Sequence, residues 1–335
     1  MAFKRLDPED FVVSSDSITS TLWSNGNPKL TSFYTSSIQK ASAAGEYYLS
    51  VYDTPATSSV QFDITYCDAL GSGSAWFNNI VPDNSPSKTM YGQYRSMILE
   101  DETAQFTFGV GTNITSSDHF WALSIERACY KESLFPGSLN LQLTDGSDTR
   151  QFTDNSQETL VNTYLGSTRV YQLISGSNGS SWDNNGGYST SKGSYGLVFP
   201  DLGTILLNPH ALVEEFGISI QPNRSSNSEG NNNQLLFNAI KNGSSFSLNS
   251  EETITSDYVF IRARNSEFNY SENSSFISGS TGEVIYNNFI NHPQVYITTV
   301  GMYNDSNELV AVAKLSKPLL KDFTKECLLR VKLDF

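Results

Sequence analysis

The closing segment of the chain, residues 258–335, is the feature that most limits the folds open to it. Val295 to Tyr303 is rich in β-branched and aromatic residues, a polar turn sequence follows, and Glu308 to Leu315 resumes the apolar pattern. From Lys325 to Phe335 apolar residues alternate with charged ones. This pattern predicts a β-hairpin, a break in pairing at Pro318 and a final strand that holds the end of the segment in a sheet.

The rest of the chain repeats strand patterns at irregular spacing. Residues 60–66 alternate apolar and polar side chains, which predicts a strand buried on one face only. Helix signals occur at residues 86–99, 208–217 and 232–243, where capping residues flank apolar positions at helical spacing. No repeat of about 20 to 50 residues is present, which argues against a propeller or solenoid. We therefore predict a mainly β fold of β-sandwich-like antiparallel sheets with long loops and a few short helices.

The distribution of these signals suggests three regions. Residues 1–165 form an N-terminal β-rich region, residues 166–257 a loop-rich insertion with short helices, and residues 258–335 a C-terminal β region expected to pack with the N-terminal one. A chain of 335 residues is long enough for one large domain or two closely joined ones.

The charge balance opposes binding to nucleic acid. The formal net charge is −14, and affinity for phosphate backbones comes largely from Lys and Arg that displace counterions. The acidity itself has two interpretations, which are solubility and a match to a basic partner in an assembly.

The cysteines and the amino end carry no sign of export. Cys67, Cys129 and Cys327 are odd in number and widely separated, which suggests neither a disulfide framework nor a zinc site and fits synthesis in a reducing cytoplasm. The first ten residues carry acids and Pro8 where a signal peptide needs an apolar stretch. No run of about 18 or more apolar residues is present, and we therefore expect no membrane insertion.

Several stretches of the chain resemble one family, the virion structural proteins of contractile-tailed, T4-like phages, including those that infect marine cyanobacteria. The stretches are residues 91–95 (YGQYR), 127–138 (RACYKESLFPGS), 260–271 (FIRARNSEFNYS), 296–305 (YITTVGMYND) and 309–318 (LVAVAKLSKP). The resemblance implies a particle component, of the tail or baseplate, made in the cytoplasm of a bacterial host and located in the virion. It also implies partners among other phage structural proteins, with many copies in a symmetric assembly.

Within that interpretation, the chain is a non-enzymatic component that presents sheet edges and loops to neighbouring subunits. We predict Arg262, Arg264, Glu267 and Tyr270 as interface residues, because charged and aromatic groups concentrated in one segment can fix the register between partners. The same residues are also suited to stabilising an internal turn.

Two other functions are compatible with the sequence. A host-receptor or glycan-binding fibre-type protein would use Trp182 and Tyr188, since rigid aromatics among small polar residues are typical of binding loops. A loop pinned to its own protein by those aromatics is the competing interpretation. The other function is a capsid or neck-associated structural protein.

Catalysis has little support, and we predict no catalytic residue. His119, His210 and His292 lie far apart in the sequence and outside the known catalytic motifs. Asp183 and Asp201 would suit glycoside hydrolysis only if folding brought their carboxylates within about 5 to 10 Å of each other.

A metal site is likewise not predicted, and we expect no cofactor. Asp145, Asp148 and Asp154 offer the hard oxygen ligands that Ca²⁺ takes, but the ligand order of an EF-hand and its closing Glu are missing. Calcium therefore remains an option without a specific motif.

Overall fold

A computed structural model describes the chain at residues 4–35, 47–55, 59–71, 87–146, 148–158, 164–165, 168–182, 186–220, 230–271 and 273–334. Its contacts divide the chain into two compact units. The terminal unit comprises Met1–Ser17 and Thr253–Phe335, and the central unit comprises Ile18–Glu252.

The fold is mainly β, with antiparallel sheets and few short helices, as the sequence predicts. The strands in chain order are β1 Phe11–Thr21, β2 Lys29–Leu30, β3 Tyr34–Thr35, β4 Leu49–Tyr52, β5 Val60–Asp68, β6 Phe106–Val110, β7 Asn113–Ser117, β8 His119–Ile125, β9 Ser133–Leu134, β10 Asn140–Asp145, β11 Asp148–Asp154, β12 Tyr164–Leu165, β13 Thr168–Arg169, β14 Tyr171–Ser177, β15 Ser180–Ser181, β16 Gly196–Phe199, β17 Thr204–Leu207, β18 Phe246–Ser247, β19 Asn249–Ala263, β20 Val295–Tyr303, β21 Leu309–Lys321 and β22 Cys327–Asp334. The α-helices are α1 Ser87–Ile98, α2 Pro209–Phe216, α3 Asn231–Gly243 and α4 Asn287–Asn291, and single 3₁₀ turns lie at Pro8–Asp10 and Arg127–Cys129.

The central unit is built on one large antiparallel sheet in the order β2-β18-β10-β11-β14-β16-β17-β8-β5-β4-β3, with β15 paired to β14. The two ends of this sheet face each other. Phe62 on β5 and Phe246 on β18 lie near opposite ends of the order, yet their ring centroids are 5.4 Å apart. Trp23 joins both rings, at 6.3 Å and 4.9 Å. The sheet therefore folds over an aromatic core, which gives the sandwich-like architecture.

Both faces of the middle strands are buried. On β8, Trp121 and Leu123 join the core that contains residues of α2 and α3, whereas Phe120 and Ala122 join a second core with α1 and the β6–β7 hairpin. The prediction of a half-buried strand at residues 60–66 is therefore wrong. Gln61 and Thr65, expected to face solvent, are 0% and 2% exposed because a second layer of structure covers that face.

The three helix predictions are confirmed. Helix α2 begins after Asn208, whose side chain accepts a hydrogen bond from the His210 backbone N–H at 3.1 Å, and ends at Gly217 with φ 71°. Helix α3 is predicted from about Asn232 through Lys241, closed by Asn242 and Gly243; it includes both closing residues and stops at Ser244 with φ 56°. It packs closely on β10, since a Cβ on Gly243 would lie 2.1 Å from the Gln142 carbonyl oxygen.

The terminal unit contains a sheet of order β1-β19-β22 and a separate two-stranded hairpin of β20 and β21. The final strand alternates as predicted, with Val331 buried between exposed Arg330 and Lys332. The hairpin is also confirmed. Pro318 does not end β21, but it lies in a bulge between the Ile297–Leu319 and Thr299–Lys314 pairs, where the ladder is interrupted.

The contacts divide the chain differently from the three regions expected from the sequence. Residues 166–252 lie in the same unit as residues 18–165, because strands from both stretches pair into one sheet. The amino-terminal strand β1 instead joins the sheet of the closing segment through β19.

Candidate functional site

The terminal unit has a small buried core and a large exposed apolar surface. Among its described residues, the buried apolar side chains are Val259, Ala263, Pro293 and Val331. Its exposed large apolar side chains are Phe11, Val12, Val13, Tyr270, Ile285, Tyr286, Ile290, Tyr296, Tyr303, Leu309, Val310, Val312, Phe323 and Leu328. Contiguous exposed apolar surface is typical of interaction sites, which makes this unit the candidate site.

The β20–β21 hairpin, residues 295–321, is the most extended part of this surface, and we refer to it as the arm. Its strands pair with each other and, within the described residues, with no other strand. Tyr296 and Val312 are 62% and 58% exposed. An isolated two-stranded hairpin is at best marginally stable in water, and a partner that covers the arm would stabilise it.

The segment predicted as an interface, residues 262–270, follows β19 as a compact turn. Glu267 accepts hydrogen bonds from the Arg264 backbone N–H at 2.9 Å and from Lys4 Nζ at 3.1 Å. These contacts lower the pKa of Glu267, the backbone hydrogen bond being the larger cause. Lys4 also donates to the Arg262 carbonyl oxygen. The turn is thus held by charged groups of its own unit.

A buried lysine fixes the base of this turn. Lys321, at the end of the arm, is fully buried, and its ammonium donates to Asn265 O at 3.0 Å, Asn269 Oδ1 at 3.0 Å and Asp322 O at 3.1 Å. These three acceptors match the three N–H bonds of an ammonium group. Lys321 therefore joins the arm to the 262–270 turn.

The structure assigns the four predicted interface residues to two groups. Arg262 forms an ion pair with Glu326 at 2.8 Å, and Glu267 is held within the turn, which gives both side chains internal roles. Arg264 and Tyr270 are exposed, and Tyr270 contributes to the apolar surface of the unit. Contact with a partner therefore remains a prediction for these residues.

Acid should weaken the terminal unit. Ion pairing with Arg262 lowers the pKa of Glu326, and hydrogen bonding to Lys332 lowers that of Asp334. A carboxyl whose pKa is lower in the folded state stabilises the fold above its unfolded pKa, about 4. That contribution is lost as the pH falls through the lower, folded pKa. We expect a small effect, because both pairs are exposed.

The measurement is amide hydrogen exchange of residues 253–334 in the folded chain from pH 7 to pH 3, corrected for intrinsic exchange rates. Glu326→Gln should lower protection at pH 7 and reduce its fall in acid. A fall in protection of equal size in the variant would contradict a role for this ion pair.

Comparisons with protein-family models, with curated proteins and with solved structures found no match to this chain.

The central unit carries the two residues predicted to contact a ligand. Trp182 is 63% exposed, next to the β14–β15 turn. Tyr188 is half-buried, and its hydroxyl accepts a hydrogen bond from Asn155 Nδ2 at 3.4 Å. Burial raises the pKa of Tyr188. The structure thus leaves Trp182 available to a ligand and fixes Tyr188 against its own unit.

One polar cluster was not foreseen from the sequence. His119 and His210, far apart in the chain, have ring centroids 5.0 Å apart and line a cavity of about 440 Å³ with Lys192 and Glu214. His119 Nδ1 lies 2.8 Å from an oxygen of Asp118. An imidazole next to a carboxylate can take up a proton, which makes this cavity the place to test for catalysis.

The acidic candidates do not form a shared site among the described residues. Asp145 and Asp148 pair at the tip of the β10–β11 hairpin, whereas Asp154 ends β11 six residues further on, about 20 Å away along an extended strand. They therefore cannot bind one calcium ion together. Asp201 pairs with Arg169 at 2.7 Å, and Asp183 lies outside the described residues.

The described residues lack a metal-binding cluster and a membrane-spanning helix. They contain no group of three or more His, Cys, Asp or Glu side chains arranged to hold a metal ion. No helix in the described ranges is both long enough and apolar enough to cross a membrane.

Proposed function

We propose that this chain is a structural component of the tail or baseplate of a T4-like phage particle and acts through contacts between subunits, without catalytic turnover. The observation that carries the proposal is the terminal unit, with few buried apolar residues and many exposed ones. A surface of this kind is stabilised when a partner covers it.

Three of the five stretches that resemble the phage family lie in the terminal unit, which carries the exposed surface. Residues 260–271, 296–305 and 309–318, which resemble the phage family, form the turn held by Lys321 and most of the arm. Their exposed members include Tyr270, Tyr296 and Val312. If the family shares an interface, the residues that resemble the family are expected on the exposed surface. Their position in the terminal unit therefore supports the assembly function.

The test is quantitative mass spectrometry of phage particles that are produced in a bacterial host in which this chain is expressed and are then purified on a density gradient. We expect the chain in a fixed ratio to known tail proteins, unchanged after a high-salt wash. Its absence from finished particles would contradict the proposal. Hydrolysis of a substrate by the purified chain, lost in a folded His119→Gln variant, would contradict the non-catalytic part.

Exposed Trp182 favours a second candidate, glycan binding, because an exposed indole can stack on a sugar ring. The measurement is titration of the chain with neutral host-envelope oligosaccharide, followed by tryptophan fluorescence. In a glycan-binding protein, Trp182→Ala would abolish binding, while Ile114→Ala, at an exposed position on β7, would not. An unchanged signal on titration of the native chain would remove this candidate.

A further inference from the structure

The two edges of the arm differ in their protection against pairing with another strand. On β21, Lys314 and Lys317 are exposed, and Pro318 lacks a backbone N–H within a bulge. Lysine, proline and bulges are the devices by which proteins keep edge strands from pairing. The β21 edge therefore has several of these protections.

Strand β20 has none of these protections along its nine residues. Val295–Tyr303 contains no charged residue and no proline. Within the described residues, positions 295–302 make no backbone hydrogen bond except those to β21. A long, uncharged, β-branched edge is a template for an additional strand.

The composition of β20 suits a second copy of itself. In an antiparallel pair of identical strands a charge near the centre would face its own copy, and this strand carries no charge. Antiparallel pairing about the central residue, Thr299, uses all nine residues. It places Thr299 opposite Thr299 and Val295 opposite Tyr303, and cross-strand Thr–Thr and aromatic–β-branched pairs of this kind are favourable.

We propose that β20 pairs antiparallel with β20 of a second copy of this chain, centred on Thr299, to form a four-stranded sheet of order β21-β20-β20-β21 with two-fold symmetry. This inference rests on the proposed assembly function and identifies one partner of that surface. The contact is isologous, and it closes after two copies. One strand pair is a small interface, which predicts that the dimers form reversibly.

The first test uses single cysteines in the full chain. Residues on a two-fold axis between antiparallel strands have Cα atoms about 4.5 to 5.5 Å apart, within the range of a disulfide. Under mild oxidation, Thr299→Cys should give a covalent dimer on a non-reducing gel. The control is Val312→Cys, at an exposed position on the other strand of the arm, and it should give no more covalent dimer than the native chain. The native chain itself shows how much dimer forms through Cys67, Cys129 and Cys327.

The second test is sedimentation equilibrium of the native chain, Thr299→Lys and Val312→Lys. The native chain and Val312→Lys should dimerise, and Thr299→Lys should weaken dimerisation at least tenfold, because it places two positive charges opposite each other. The inference would be overturned if the native chain were monomeric, or if Thr299→Lys left the dimer unaffected. It would also be overturned if both lysine variants weakened dimerisation equally, or if Thr299→Cys did not link the dimer. The proposed function is decided separately, by the presence of the chain in purified particles.

Discussion

Replacing Lys321 with Met should lower the free energy of unfolding of the terminal unit by about 3 kcal/mol. Met is unbranched like Lys and one atom shorter, and it leaves the three oxygens that the ammonium contacts without their donor. Asn269, itself buried, loses a partner, and the 262–270 turn loses its connection to the arm. The measurement is native-state amide exchange across residues 264–271 and 295–303, where protection should fall in both stretches.

The control for this variant is Lys317→Met on the same strand, four residues away and exposed. It removes the same charge without leaving a buried acceptor, and we expect a change within about 0.5 kcal/mol. If the two variants lost equal protection, Lys321 would not hold the turn.

Truncation of Phe62 to Ala should destabilise the central unit by about 4 kcal/mol, at the level of large aromatic core deletions. Phe62 is fully buried, and its ring lies between those of Phe33, Trp23 and Phe246, at 6.4, 6.3 and 5.4 Å between centroids. The cavity left by truncation would lie where the two ends of the sheet meet. Chemical unfolding followed by tryptophan fluorescence measures the loss.

The control for the core is Ile114→Ala on β7, whose native side chain is 50% exposed. Its removal should change the free energy of unfolding by less than about 1 kcal/mol, since little buried area is lost. A loss from Phe62→Ala as small as that from Ile114→Ala would show that the two ends of the sheet do not pack together.

Features set by neighbouring residues could be predicted from the sequence. The hairpin of residues 295–303 and 308–315 and the caps of α2 depend on turn and capping residues within a few positions. The burial of both faces of β5 depends instead on α1, which begins nineteen residues after that strand ends at Asp68. Alternation within a strand identifies its two faces, but it does not show what covers them.

Prediction of the candidate site from the sequence has the same limit, because the partners of each side chain are known only after folding. Charge and aromatic content pointed to residues 262–270, and the structure adds that Arg262 and Glu267 have partners in their own unit. The central role of Lys321 could not be predicted, because lysine is almost never fully buried and its three acceptors come together only on folding. The proximity of the His119 and His210 rings likewise could not be predicted, because it depends on how β8 and α2 pack in the folded chain.

The most direct test of the central claim is a cryo-EM map of the whole particle at a resolution that shows side chains. If the chain acts through its terminal unit, Tyr270, Tyr296 and Val312 should be buried against other subunits in that map. A particle in which the chain is present but these three side chains face solvent would contradict the account.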